Sequence, residues 1–205
     1  MTDLPGGSFH AAAAAQTVRP GSALHRDALA LLRGWPPPSP DQDRVRNYYL
    51  EHLESQPDGL RRDCVPDHIT ASTLIVSADH RRVLLTLHAK ARAWFQMGGH
   101  CEDHDRTLLA AASREATEES GLPELVLDPV PVQLNTHEVP FCGTSGTVRH
   151  LDVRFLALAP ASAAHRTSAE SLDVAWWPID ALPTTESNLL ELVERARVRL
   201  TALDS

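Results

Sequence analysis

The chain has 205 residues, of which 42% are hydrophobic and 22% charged, with a formal net charge of -8. That length suits one domain of ordinary size with an extension, or two small ones, and the apolar content is enough for a real core. The acidic balance argues against a duplex nucleic-acid binder, because Arg61-Arg62 and Arg81-Arg82 stand beside acids and read as solvated surface.

Residues 1–21 are rich in Ala and Gly without sustained periodicity and are expected to form a flexible arm. They show no basic start or long apolar run of a signal peptide. No segment approaches about 20 apolar residues, so a cytoplasmic protein without a membrane partner is expected. Residues 22–65 read as a helical extension. Leu24, Ala28, Leu31, Leu32 and Trp35 share one helical face, and "PPPSP" breaks it. Ser39, Pro40 and Gln42 then mark a capping box for a second helix carrying Val45, Tyr48, Tyr49 and Leu53. Such apolar faces predict a cap over a substrate entrance, a homodimer contact, or a shield for the edge of the core.

The third unit, 66–205, starts with a change to period two. Ile69, Ala71, Thr73 and Ile75 alternate, "SADHR" turns the chain, and Val83, Leu85 and Leu87 alternate again, which predicts a hairpin. A loop, "WFQMGG", leads to a helix from about Thr107 with Leu109, Ala112 and Ala116 as its packing stripe. Extended segments follow in "LVLDPVPVQLNTHEVP", "RHLDVRFLALAP" and "DVAWWPI", then a closing helix built on Leu190, Val193 and Leu200. Strands and helices mix without regular βαβ alternation, so the expected class is α+β, an α/β/α sandwich with a mixed sheet.

Cys64, Cys101 and Cys142 are widely spaced with no CxxC, so they predict neither a disulfide framework nor a zinc site. Cys101 reads as a small half-buried residue rather than a nucleophile.

The helix before Gly121 carries Glu115, Glu118 and Glu119 together on a face next to its packing stripe. Like charges at such spacings repel by about a few tenths of a kcal/mol per pair, so a positive group is expected among them. Arg114 lies four residues before Glu118, within reach of an ion pair. Gathered carboxylates are also what a hard cation takes as ligands, and Gly98-Gly99 lets the backbone come close to a ligand.

This stretch resembles the Nudix box, G-x5-E-x7-R-E-U-x-E-E-x-G-U, with U a bulky aliphatic. "REATEESGL" matches at Arg114, Glu115, Glu118, Glu119, Gly121 and Leu122, with Ala116 in the aliphatic place. Asp105 stands where the family has Glu, eight residues rather than seven precede Arg114, and Met97 replaces the usual proline. The departures put a functional role for Asp105 in doubt. The resemblance implies a Nudix fold and a metal-dependent pyrophosphohydrolase acting on a small-molecule nucleoside diphosphate linked to another moiety. It implies Mg2+ or Mn2+ held by Glu115 and Glu119, Glu118 as ligand or base, the Gly99 carbonyl as a further ligand, and Arg114 orienting the cluster. A further acid from a later loop is expected as base or ligand, with Glu170 and Asp173 the candidates and Glu138 a weaker one.

Two other readings stay open: a Nudix module that binds nucleotide without cleaving it, and an isopentenyl-diphosphate isomerase-like enzyme. Strand parity adds a substrate-facing expectation. His150, Asp152 and Arg154 share one face, as do Gln133, Asn135 and His137. They are read either as an exposed stripe or as a cleft lining in which Arg154 clamps a phosphate and His150 and His137 bond the leaving group. A second metal on His137, His150 and Asp152 lacks supporting ligand spacing.

Overall fold

The computed structural model describes residues 21–140, 142, 147–160 and 171–204. Apart from Gly21, the expected arm lies outside the described residues, as does Glu170. The period-two stretch forms β1 (Asp67–Ser77), which turns back antiparallel as β2 (Arg82–His88) with Ile75 opposite Leu84. The expected loop "WFQMGG" holds two short strands instead, β3 (Trp94–Phe95) and β4 (Met97–His100), and β4 pairs with β1 so that Ala71 faces Gly99. Strands this short, one holding two glycines, carry no readable period. Then come β5 (Val126–Leu127), β6 (Gln133–Val139), β7 (Val148–Ala159) and β8 (Ser171–Pro178).

β1 and β7 run parallel from Asp67 opposite Arg149 to Ser77 opposite Ala159, while β6 pairs antiparallel with β7 and β8 with β2. Every residue of β1 is buried, polar ones included. Its alternation therefore separates two interiors rather than core from water.

Among the described residues four helices cover the sheet: α1 (Ala23–Gly34), α2 (Pro40–Ser55), α3 (Leu108–Ser120) and α4 (Ser187–Leu203). Ile69, Ala71, Leu151, Val153 and Phe155 point into one core with residues of α1, α2 and α3. Leu74, Val76 and Leu156 point the other way, onto Leu189, Leu192, Val193, Ala196 and Leu200 of α4. The result is the mixed-sheet α/β/α sandwich. Leu190, expected on the packing face of α4, is 43% exposed, and Leu189 and Leu192 take its place. No helix among the described residues is long and apolar enough to cross a membrane.

Ser39 caps α2 by accepting from the Gln42 N–H at 3.2 Å. The other half of the expected capping box does not form. The Gln42 amide instead donates to the Leu134 carbonyl at 2.9 Å and accepts from the Leu134 N–H at 2.7 Å, pairing with β6 as a strand would. Trp35 donates from Nε1 to the Pro131 carbonyl at 2.6 Å. Leu24, Ala28, Leu32, Trp35, Tyr49 and Leu53 are buried within the chain. Deletion of residues 1–60 is accordingly expected to give an aggregating product, read by gel filtration of the soluble fraction. A monodisperse truncation with a cooperative melt would show that these helices are dispensable to the core.

Candidate active site

The acidic helix is placed from both ends. Thr107 caps α3 by accepting from the Ala110 N–H at 3.0 Å, and Asp27 of α1 accepts from the Leu108 N–H at 2.8 Å. The N–H groups of a first helical turn have no partner inside the helix, so these two acceptors satisfy donors that would otherwise be orphaned. At the far end Gly121 adopts φ 69°, a left-handed conformation that glycine takes without a Cβ penalty, and its N–H reaches the Thr117 carbonyl. Leu108, Ala111, Ala112 and Ala116 are buried against the sheet, with Leu109 only partly covered.

Arg114 is the positive group expected among the glutamates. Nη1 donates to Glu115 at 2.9 Å and to Glu118 at 3.2 Å, and Nη2 donates to the His100 carbonyl at 2.9 Å. Asp105 accepts from Nε at 3.3 Å and from Nη2 at 3.0 Å. It also takes the Glu102 N–H at 2.8 Å, and its side chain is only 3% exposed. Asp105 therefore has a definite place as the buried anchor of Arg114. The extra residue is absorbed in the turn before α3, and the shorter acid still reaches the guanidinium. Sequence reasoning missed this anchor, and Asp27 with it, because its 81-residue separation from Leu108 leaves no local signal.

Gly99 presses on the same cluster. A Cβ built there would lie 2.7 Å from the Glu115 carboxyl, so any side chain at this position would have to push that carboxyl aside. Burial pushes the Glu115 carboxyl up, while the Arg114 charge and hydrogen bond pull it back. Glu119 accepts from the Gly98 N–H at 2.9 Å, which fixes it against β4. The Glu118 side chain is 60% exposed and open to the solvent side. The donor set of Glu115, Glu118, Glu119 and the Gly99 carbonyl consists of hard oxygens, which fits Mg2+ or Mn2+.

Among the described residues, Arg154, Asp152, His150 and His137 are not brought to this cluster. Arg154 faces Gln133, Asp152 faces Asn135 and His150 faces His137 across β6 and β7, so the two polar stripes do share one surface. That surface is on the opposite side of the sheet from α3, since Leu151, Val153 and Phe155 take the α3 side. Arg154, 4% exposed, donates to Asp152 at 2.8 Å and to Gln133 and Asn135 at 2.9 Å each. Asp152 also accepts from Ser72 at 2.8 Å and Thr70 at 3.2 Å. Burial alone would raise the Asp152 carboxyl, but Arg154, His137 and the hydrogen bonds hold it below the usual range. The stripe is thus a polar layer, buried at Gln133, Asp152 and Arg154 and half-buried at Asn135, His137 and His150, with Arg154 committed inside it rather than presented as a phosphate clamp.

Asp173 needs a correction of place. It was expected in a loop but lies within β8 opposite Leu87, exposed, on a strand that reaches β1 only through β2. Glu138 is exposed on β6. Cys101 is buried, and burial pushes its thiol up, which disfavours a thiolate nucleophile there.

The family model of the NUDIX domain matches residues 66–198. The dihydroneopterin triphosphate pyrophosphohydrolase of E. coli superposes with a TM-score of 0.55 at 20% identity, over 64% of this chain and 95% of that one. An Ap4A hydrolase of C. elegans gives 0.52 at 17% identity, over 65% and 98%. The MutT protein of Methanosarcina mazei Go1 gives 0.50 at 18% identity, over 65% and 95%. At these identities the three show the fold. None of the curated proteins searched matches the chain.

Proposed function

We propose that the chain, which belongs to the NUDIX domain family, is a hydrolase of phosphoanhydrides: a pyrophosphohydrolase that needs Mg2+ or Mn2+ and cleaves a nucleoside diphosphate linked to another moiety. The observation that carries this reading is Arg114, clamped by Asp105, Glu115 and Glu118 beside the close approach of Gly99 to Glu115. That arrangement sets one guanidinium against Glu115 and Glu118, with Glu119 fixed on the Gly98 N–H, and so gathers hard carboxylate oxygens beside a backbone carbonyl, which is what binding a divalent cation demands.

When bound, the divalent ion neutralises diphosphate charge and lowers the pKa of a coordinated water. Glu115, Glu119 and the Gly99 carbonyl would hold it. Glu118, on the open side and carrying only one bond from Arg114, would accept the proton of the attacking water at a carboxylate oxygen. Arg114 orients Glu115 and Glu118, with Asp105 behind it.

Other readings receive less support. A module that binds without cleaving has no use for three intact, oriented glutamates. An isomerase-like reaction has no activated thiol at Cys101. The screen that tests the proposal incubates the protein with nucleoside diphosphate derivatives and Mg2+ and identifies products by mass. Cleavage at a phosphoanhydride that stops in excess EDTA is the expected result. Activity persisting in EDTA, or no turnover across the panel, overturns it.

A further inference from the structure

On the sheet face away from α3, the fold gathers three imidazoles and a thiol. His68 on β1 stands directly opposite His150 on β7, His100 ends β4 opposite Thr70, and Cys142 lies between β6 and β7. One ligand atom from each, three ring nitrogens and one Sγ, all fall within 4.8 Å of one another. His100 Nε2 is 3.3 Å from Cys142 Sγ, and Cys142 Sγ is 3.8 Å from His68 Nε2. A tetrahedral zinc ion, with Zn–N of about 2.0–2.1 Å and Zn–S of about 2.3 Å, sets its N···S edges at about 3.5 Å. The two observed separations straddle that value.

The surroundings favour ligation over simple packing. The rings stand 4.9 to 5.1 Å apart, too close for shared positive charge. Burial first, and then the neighbouring histidines, push His100 down to about 2 and His150 down to about 3. His68 is lowered as well, by burial. The His68 Nδ1–H can donate to the Cys64 carbonyl at 3.1 Å, which leaves Nε2 bare towards Cys142. A hydrogen bond from the far ring nitrogen to a backbone carbonyl is how metal-bound histidines are usually oriented. A thiol donating to one imidazole would explain a single contact. It leaves the buried His150 Nε2 with no hydrogen-bond partner, and that atom is an orphan here.

We propose that His68, His100, His150 and Cys142 form a tetrahedral zinc site. Four protein ligands leave no open position, so the site is structural rather than catalytic. Binding sends the Cys142 thiol proton to solvent, with no change of oxidation state. The ion would tie β1, β4, β7 and the segment holding Cys142 together. The carbonyl of His100 accepts from Arg114, so one residue links this staple to the carboxylate cluster on the other side.

Untagged full-length protein, reloaded with Zn2+ after chelation and desalted in excess Mg2+, is expected to retain one equivalent of zinc by elemental analysis. Loaded with Co2+ instead, it should show a thiolate-to-cobalt charge-transfer band and the strong visible bands of a tetrahedral ion. Cys142→Ser should lose the charge-transfer band, and His150→Gln should weaken metal retention at least tenfold against a chromophoric chelator. Glu118→Gln should leave all three readings unchanged, which separates this site from the carboxylates. Wild-type protein that holds neither metal stoichiometrically overturns the proposal, whatever the variants do. So does a cobalt spectrum without the thiolate band.

Discussion

Glu118→Gln and Glu119→Gln are each expected to lower kcat roughly a thousandfold, about 4 kcal/mol of transition-state stabilisation, with the melting temperature almost unmoved. Both substitutions keep the side-chain shape and an oxygen acceptor while removing a negative charge. Glu118 is mostly exposed, and its bond to Arg114 is one of several that guanidinium makes. Surface changes of this kind usually shift stability by no more than about 0.5 kcal/mol. Glutamine at 119 can still accept from the Gly98 N–H through its amide oxygen, so β4 stays where it is. On the proposed mechanism what each variant loses is charge: a ligand of the cation at 119, and a ligand or proton acceptor at 118. Glu115→Gln is a poorer probe, because Glu115 is half-buried against Gly99 and paired with Arg114, and loss of activity would be mixed with loss of fold. Rates from steady-state turnover at saturating Mg2+, with thermal melts alongside, decide the matter. Near-wild-type kcat in both variants would remove the carboxylates from the chemistry.

The part of this site that was legible in the sequence is the part built by one helix. Glu115, Glu118, Glu119, Arg114 and Gly121 keep their relations through local geometry, so spacing alone places them. The hairpin of β1 and β2 was legible for the same reason. Asp105 was not, because its role depends on how a turn absorbs one residue. The stripe of His150, Asp152 and Arg154 was read correctly as one face and left open as to what covers it. Parity states which residues share a surface, and only the layer packed above decides whether that surface meets water. Here β1 is buried on both sides, so alternation that resembles a wet face marks a polar interior. Gln42 carried a helix-start signal, yet a strand edge 92 residues away bids for its amide. The cluster of His68, His100, Cys142 and His150 draws on four separate segments, so no spacing within any one of them announces it.

Arg154→Met is expected to destabilise the protein by about 3–5 kcal/mol, the cost of leaving a buried charge unpaired. Asp152 is 2% exposed and Arg154 4%, so neither charge can turn to solvent when the other is removed. Methionine fills much of the volume of the arginine stem, which keeps a cavity from dominating the loss. What remains is an Asp152 carboxylate held only by Ser72, Thr70 and Gln96, with Gln133 and Asn135 also stripped of their donor. Replacing the lone charge should then help. Asp152→Asn added to Arg154→Met is expected to recover part of the loss, since the pair's energy is not the sum of its two deletions. Denaturant midpoints for the wild type, both single variants and the double variant complete the cycle. Had Arg154 been a clamp on substrate phosphate, Arg154→Met would raise KM at least tenfold, about 1.4 kcal/mol, in a protein of unchanged stability. The same measurements therefore discriminate the two roles. Lost stability that Asp152→Asn partly restores identifies a structural ion pair, and a KM effect on a wild-type melt would return Arg154 to the substrate.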